Sequence, residues 1–342
     1  MVVQMLHYYL KNLMNKRLIF GLIFASSLLL CSSIIYLLKK DFSIEKDIIF
    51  EITDGRSAVS IVKDLKNQQI ISSSLPYIIL LKIENNLFSK IQFKSGEYLI
   101  SSNDNFLSLI KKFQTHDVFL RKITFVEGTT TSESINIINK SSYLSGDISL
   151  KPREGYLFPD TYYFEKHTSK DDLIRIMQTK TNDLLNSFWD SYHKNISLKS
   201  KEEVLVMASI IEKETGKNGE RGQISGVFYN RLARKMRLQS DPTVIYAITN
   251  GKYQLKRQLS KKDLKNSSKY NTYKINGLPP TPITNPGYQA IYAAFNPDKT
   301  NYLYFVSDGN GGHNFSTNLK DHNKNVTILR KIEKDIRNEK KD

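Results

Sequence analysis

The chain has a single cysteine, Cys31, so no intrachain disulfide can support it. Leu29 and Leu30 stand where small residues would precede a lipoprotein cleavage point, so Cys31 is a poor lipid-attachment site too. None of the six histidines forms a His-x-x-x-His pair, and there is no cysteine pair or acidic cluster at ligand spacing. No metal site is expected, and His313, among glycines and near Asp308, reads as a satisfied structural histidine. Also missing are a Gly-rich phosphate loop, a Ser-His-Asp order and a basic stripe interleaved with stacking aromatics. Nucleic acid is therefore not an expected partner. There is no internal repeat, and only the charged C-terminal tail is compositionally biased.

What is present is ordinary for a globular protein: 40% hydrophobic and 25% charged residues over 342 positions, enough for two domains with real cores. The net charge of +16 is spread along the chain, often as Lys beside Asn and Ile, so it points weakly at an anionic partner. The one long apolar run, Leu18 to Leu38, carries no charge. At ~1.5 Å per residue it reaches roughly 31 Å, enough to cross a hydrocarbon core. It exceeds the ~7–15 residues of a signal-peptide core and lacks a small-x-small end, which favours an uncleaved anchor. Lys11, Lys16 and Arg17 precede it and Lys39 and Lys40 follow, so the positive-inside signal is shallow; Asp41, Glu45 and Asp47 dilute the far flank, which leans towards a cytoplasmic N-terminus.

Beyond the anchor, Ile48 to Thr53 alternates like a strand. Helical rhythms follow at Ser57–Asn67 and Leu75–Asn86, a strand within Phe93–Ile100 and a helix over Asp104–Thr115. This strand-helix-helix-strand module (48–117) resembles a LysM glycan-binding module; a packing subdomain without a ligand is the equal alternative. Val118–Val126 reads as a strand, followed by a helix capped by Thr131 or Ser132 with Glu133 nearby. Gly155 to Phe164 is a tyrosine-rich loop that suits a cleft wall or a hydrophobic clamp. Helices are expected at Asp171–Trp189, Glu203–Thr215, Gly219–Lys235, Thr243–Ile248, Lys261–Leu264 and Asn323–Asn338, and a strand at Leu303–Val306. The class is α+β.

Chemistry concentrates at Val206-Met-Ala-Ser-Ile-Ile-Glu-Lys-Glu-Thr-Gly216, an apolar helix that carries two carboxylates into its last turn and is expected to stop at Gly216. A carboxylate against such a surface is partly desolvated, which raises its pKa towards that of a useful general acid. Helix phase does not choose between Glu212 and Glu214, which lie about 200° apart at ~100° per residue. Gln239, Ser240 and Asp241 form an ordered turn before Pro242 and can hydrogen-bond a ligand; Asp241 or Ser240 also suits the cap of the next helix, which leaves Asp241 a ligand candidate and Gln239 the better one. Asn271 and Tyr273 can offer a hydrogen bond and a stacking face to a ring-shaped ligand, and Tyr156 sits in the candidate cleft wall.

Taken in order, Glu154-Gly-Tyr-Leu-Phe-Pro-Asp-Thr-Tyr162, Ala208 to Thr215, Arg237-Leu-Gln-Ser-Asp-Pro-Thr-Val-Ile-Tyr246, Tyr270-Asn-Thr-Tyr273, Gly277-Leu-Pro-Pro280 and Tyr304 to Phe315 resemble the endolytic murein transglycosylases, also called aminodeoxychorismate-lyase-like. The resemblance runs from about Ile48 to about Val326. It implies a membrane-anchored, cofactor-free carbon–oxygen lyase, with a lysozyme-like helical site in residues 118–342. Such an enzyme cuts the β-1,4 bond between N-acetylmuramic acid and N-acetylglucosamine inside glycan strands and leaves 1,6-anhydromuramyl ends. It also implies an exported catalytic part, with residues 1–17 cytoplasmic and 18–38 in the inner membrane, and wall synthases as partners in ending nascent strands. The Ile-x-x-Glu-Ser pattern of lytic transglycosylases aligns best with Glu214-Thr215, which favours Glu214 as the acid and leaves Glu212 the alternative, supporting the site or pairing with a base such as Arg221. Two other classes compete: a non-catalytic wall-binding scaffold, and a pyridoxal-phosphate lyase, disfavoured by the anchor and by the lack of a recognisable cofactor lysine. If the anchor is uncleaved, a chain starting near Asp41 should be soluble while the full-length chain needs detergent. Mature protein beginning beyond Leu38 would replace the anchor with a cleaved signal.

Overall fold

The computed structural model describes residues 2–40, 42, 44–87, 92–217 and 219–339, in a mixed α and β architecture that divides into two compact units, 1–121 and 122–342. The first unit begins with α1 (Val2–Lys39). Its segment Lys16–Lys39 is, among the described residues, the one helix long and apolar enough to cross a membrane. Strands β1 (Ile48–Ile52) and β2 (Gly96–Ile100) pair antiparallel, with Phe50 opposite Tyr98. Between them run α2 (Ala58–Asn67) and α3 (Leu75–Leu87), and α4 (Phe106–Thr115) follows. The strand alternation turns Phe50, Ile52, Tyr98 and Ile100 onto Ile61, Leu65, Leu81 and Phe113, all buried. Ser57 caps α2 through the Ser60 amide, and Asn105 and Ser108 form a capping box on α4, so each of these two helices starts with one of its free amides satisfied.

From the last residue of the first unit into the second, β3 (Arg121–Thr124) pairs with β4 (Thr161–Phe164), a strand inside the segment expected to be loop. Helix α5 (Thr131–Lys140) starts from a capping box of Thr130 and Glu133; the cap therefore falls one residue earlier than expected. The larger core surrounds α7 (Lys201–Glu214), in which every residue from Val204 to Ile211 is buried. Around it stand α6 (Lys170–Tyr192), α8 (Arg221–Ala233), α9 (Asp241–Thr249) and α10 (Tyr288–Phe295). Neither α10 nor β6 (His313–Ser316), which pairs with β5 (Tyr304–Ser307), was anticipated. A short 3₁₀ turn at Asp263–Lys265 replaces the helix expected there, and α11 (Leu319–Glu339) closes the described chain.

Two terminations differ from expectation. α7 ends because Thr215 turns extended (φ −147°, ψ 135°), not through a left-handed glycine. The Thr215 hydroxyl accepts from the Lys217 amide at 3.0 Å, a local turn that competes with further helix. Nor does the Ser240 or Asp241 side chain cap α9, and both are used elsewhere.

Asn285, fully buried, joins three separate segments. Its side-chain oxygen accepts from the Leu157 amide at 3.1 Å and the Thr131 hydroxyl at 3.4 Å. Its backbone amide donates to Thr129, and its carbonyl accepts from Gly128. Asn285→Ala leaves the buried Leu157 amide without this acceptor and should cost ~1–3 kcal/mol. Urea unfolding with an unchanged m-value would measure it; a loss below ~0.5 kcal/mol would mean that water replaces the bond.

Candidate functional site

The last turn of α7 sends its two glutamates to opposite sides. Glu212 is buried, accepting from the Arg221 guanidinium at 3.3 Å and from the Gly287 amide, at the start of α10, at 2.8 Å. Both its oxygens are thus committed to holding α7, α8 and α10 together. Glu127 joins this group: Arg221 lies 3.9 Å from it, and a Cβ on Gly287 would stand 1.8 Å from its Oε1. Burial, with the charge of Glu212 adding and that of Arg221 opposing, raises the Glu127 carboxyl above its ordinary value.

Glu214 faces the loop before α9. The Ser240 hydroxyl donates to its Oε1 at 2.5 Å. Ser240 is itself buried and pinned by its amide to the Thr272 hydroxyl at 2.9 Å. Next along the chain, Asp241 accepts the Tyr273 hydroxyl at 2.6 Å. The site thus reads Glu214–Ser240, then Asp241–Tyr273, two acids attached through adjacent residues. Desolvation pushes the Glu214 carboxyl from 4.5 up to about 7; the charge of Asp241 acts in the same direction, against the Ser240 hydrogen bond and the charge of Arg231. A group poised there can both give and take a proton at neutral pH. Burial, reinforced by Asp241, raises the Tyr273 phenol, keeping it a donor.

The other residues picked from the sequence separate into two sets. Gln239 is exposed beside Ser240 in a left-handed conformation (φ 48°), its amide donating to Thr272. Asn271 is fully buried, its amide donating to the Leu264 and Asn266 carbonyls while its oxygen accepts from the Tyr273 amide at 3.0 Å, so it positions Tyr273 from beneath. Tyr156 packs in the α7 core, with the Arg153 guanidinium 4.1 Å over its ring, away from the Glu214 group. His313 pairs through Nδ1 with Glu220 at 2.7 Å.

Arg231 had been given no role. It is buried, donating to the Leu303 and Leu238 carbonyls at 2.6 and 2.7 Å, so its charge reaches Glu214 from fixed geometry. Helix α8 buries Arg221 as well as Arg231 among apolar residues, so nothing in its sequence singled out Arg231. For α10 the available signal was the Ala-rich Tyr288-Gln-Ala-Ile-Tyr-Ala-Ala-Phe295 after Pro286-Gly287.

The model of the YceG-like family matches residues 50–328. An endolytic murein transglycosylase of Bacillus subtilis (strain 168) is 33% identical over 317 residues, covering 82% of this chain and 85% of its own. One of Streptococcus pneumoniae serotype 2 (strain D39 / NCTC 7466) is 38% identical over 178 residues, 51% of this chain and 31% of that longer one. The crystal structure of a YceG-like protein from Listeria monocytogenes aligns with a TM-score of 0.51 at 33% identity, covering 82% of this chain and 99% of that one.

The raised Glu214 carboxyl makes a stability prediction. In the folded chain it keeps its proton up to about pH 7, whereas unfolded it loses it near 4.5, so its contribution is full below 4.5 and is lost as pH rises through 7. Glu214→Gln carries no such loss. Between pH 5 and 8 the variant should gain on the parent by roughly 2 kcal/mol. Parallel denaturation curves at the two pH values would test this, and a constant difference would refute the desolvated carboxyl.

Proposed function

The chain belongs to the YceG-like family, and on that premise we propose that it is an endolytic peptidoglycan lytic transglycosylase with Glu214 as its acid and base. The observation that carries this is the desolvated Glu214 carboxyl on a rigid helix end, bonded to Ser240. Protonated, Glu214 gives its proton to the oxygen linking N-acetylmuramic acid to N-acetylglucosamine, and the C1–O bond breaks. The muramyl C6 hydroxyl then closes on C1, and the Glu214 carboxylate takes up its proton. The product is a 1,6-anhydromuramyl end, and Glu214 is restored.

One glutamate serves both halves, so no second acid need activate water as in a glycoside hydrolase. Ser240 fixes the orientation of the carboxyl. Asp241, held by Tyr273, places a carboxylate near the positive charge that grows on the sugar. Gln239 is proposed to bind sugar hydroxyl or acetamido groups. Asn271 and Tyr156 would act through the loops they hold.

In this proposal α1 is a single-pass anchor in the cytoplasmic membrane with the catalytic part outside, and the β1-α2-α3-β2 module serves as a LysM-like grip on the strand. Cleavage near the membrane would end nascent strands beside the synthases.

Glu214→Gln keeps the shape but cannot shuttle a proton, so release of anhydromuramyl product from purified sacculi should fall towards the upper end of ~10²–10⁴-fold. Glu212→Gln should cost less, through the loosened α10 contact. For the parent, kcat/KM should decline as pH rises through about 7, where Glu214 loses its proton. Activity lost with Glu212 but kept with Glu214→Gln would reassign the acid. Activity kept in both would leave the non-catalytic scaffold.

A further inference from the structure

We propose that the cleft between the start of α5, one face of α9 and the loop 250–255 is a subsite for glycan sugars beyond the bond being cut. The proposal rests on the activity proposed above and extends it to a surface outside the Glu214 group. The cleft measures about 570 Å³, within the size range of small-molecule sites. Lys213 and Pro242, the chain neighbours of Glu214 and Asp241, both line it, so it adjoins the catalytic turn on two elements. An enzyme that cuts inside a strand must hold sugars on both sides of the scissile bond, and this cleft lies where one side can continue.

Its chemistry fits a neutral, amphipathic ligand. Pro242, Ile245, Leu255 and Ile283 supply apolar surface for pyranose faces and acetyl methyl groups. Tyr253, 56% exposed, offers a ring on which a sugar can stack. Glu133 and Gln254, already bonded to each other at 3.3 Å, and Thr130 supply hydrogen-bonding groups. The cation Lys213 is matched by Glu127 and Glu133 on the same cleft, a balance that does not favour a polyanion.

The walls are also preformed. The Thr130 hydroxyl donates to the Gly251 carbonyl at 2.6 Å, tying the 250–255 loop to α5. Gly251 has φ +69°, and a Cβ there would stand 2.9 Å from the Tyr246 ring and 3.1 Å from the Glu154 carboxylate, so only glycine lets the loop lie so close. Beneath it Tyr246 donates to Glu154 at 3.2 Å, and the Thr131 amide donates to the other Glu154 oxygen at 2.7 Å. A cleft that needs no ordering on binding keeps more of its contact energy.

The test uses full-length Glu214→Gln protein in detergent, so that binding is read without cleavage. The probe is soluble, peptide-free glycan strands released from sacculi by amidase. Adding Tyr253→Ala should weaken binding ~10-fold, the loss of one stacked ring, and adding Gln254→Ala should weaken it less. Tyr143→Ala, an exposed tyrosine outside the cleft, should leave affinity where it was. Equal thermal midpoints would establish that each variant is folded. Undiminished affinity in both cleft variants would overturn the proposal, as would binding that requires the peptide stems. Failure of the parent to release anhydromuramyl product would sink the proposed activity instead, while the binding measurements still decide the cleft.

Discussion

A helix buried on every side must still end, and the way α7 ends organises the second unit. From Val204 to Ile211 it has no solvent face, and in its last turn Glu212 and Glu214 are half-buried on either side of the exposed Lys213. Carboxylates there are desolvated unless something receives them. Glu212 is received by Arg221 and by the first amide of α10, a committed structural pair. Glu214 accepts from the Ser240 hydroxyl, and burial outweighs that bond, so its proton is held up to about pH 7. One helix end thus produces a clamp and a titratable group two residues apart.

The surroundings of Glu214 are built mainly from scaffold. Thr272 fixes Ser240, Asn271 fixes Tyr273, and Arg231 is locked by two carbonyls. Such supporting bonds fix the position of the residues around the Glu214 carboxyl. Buried polar side chains also tie loops to this core: Asn285 accepts from the Leu157 amide, and Ser209 of α7 accepts from the Ile283 amide.

The first unit obeys simpler rules. Its strand β1 alternates buried and exposed residues, α2 and α4 start from capping side chains, and buried Glu97 takes two hydrogen bonds of 2.8 Å from Arg121. Ion pairing of this kind offsets desolvation only because both carboxylate oxygens are used.

Much of this was written locally. The uncharged run from Leu18 to Leu38 specifies a long helix, period-two alternation places β1, and the apolar residues of Val204 to Ile211 require a buried α7. The ordered motifs carry the family. Local pattern failed where a segment's role depends on distant partners. Helix α10 is short, and its starting amide is satisfied by Glu212, 75 residues away in sequence. Ser240 looked like a cap until its hydroxyl met a residue 26 positions earlier. Asn271 and Tyr156 carried sugar-binding chemistry in their side chains, but packing turned them into the scaffold. Helix phase left Glu212 and Glu214 equivalent, because periodicity describes one element's faces and says nothing of what covers them. Desolvation, and with it the proton affinity of Glu214, is a property of everything packed around a carboxylate, so only the tertiary structure could separate the two.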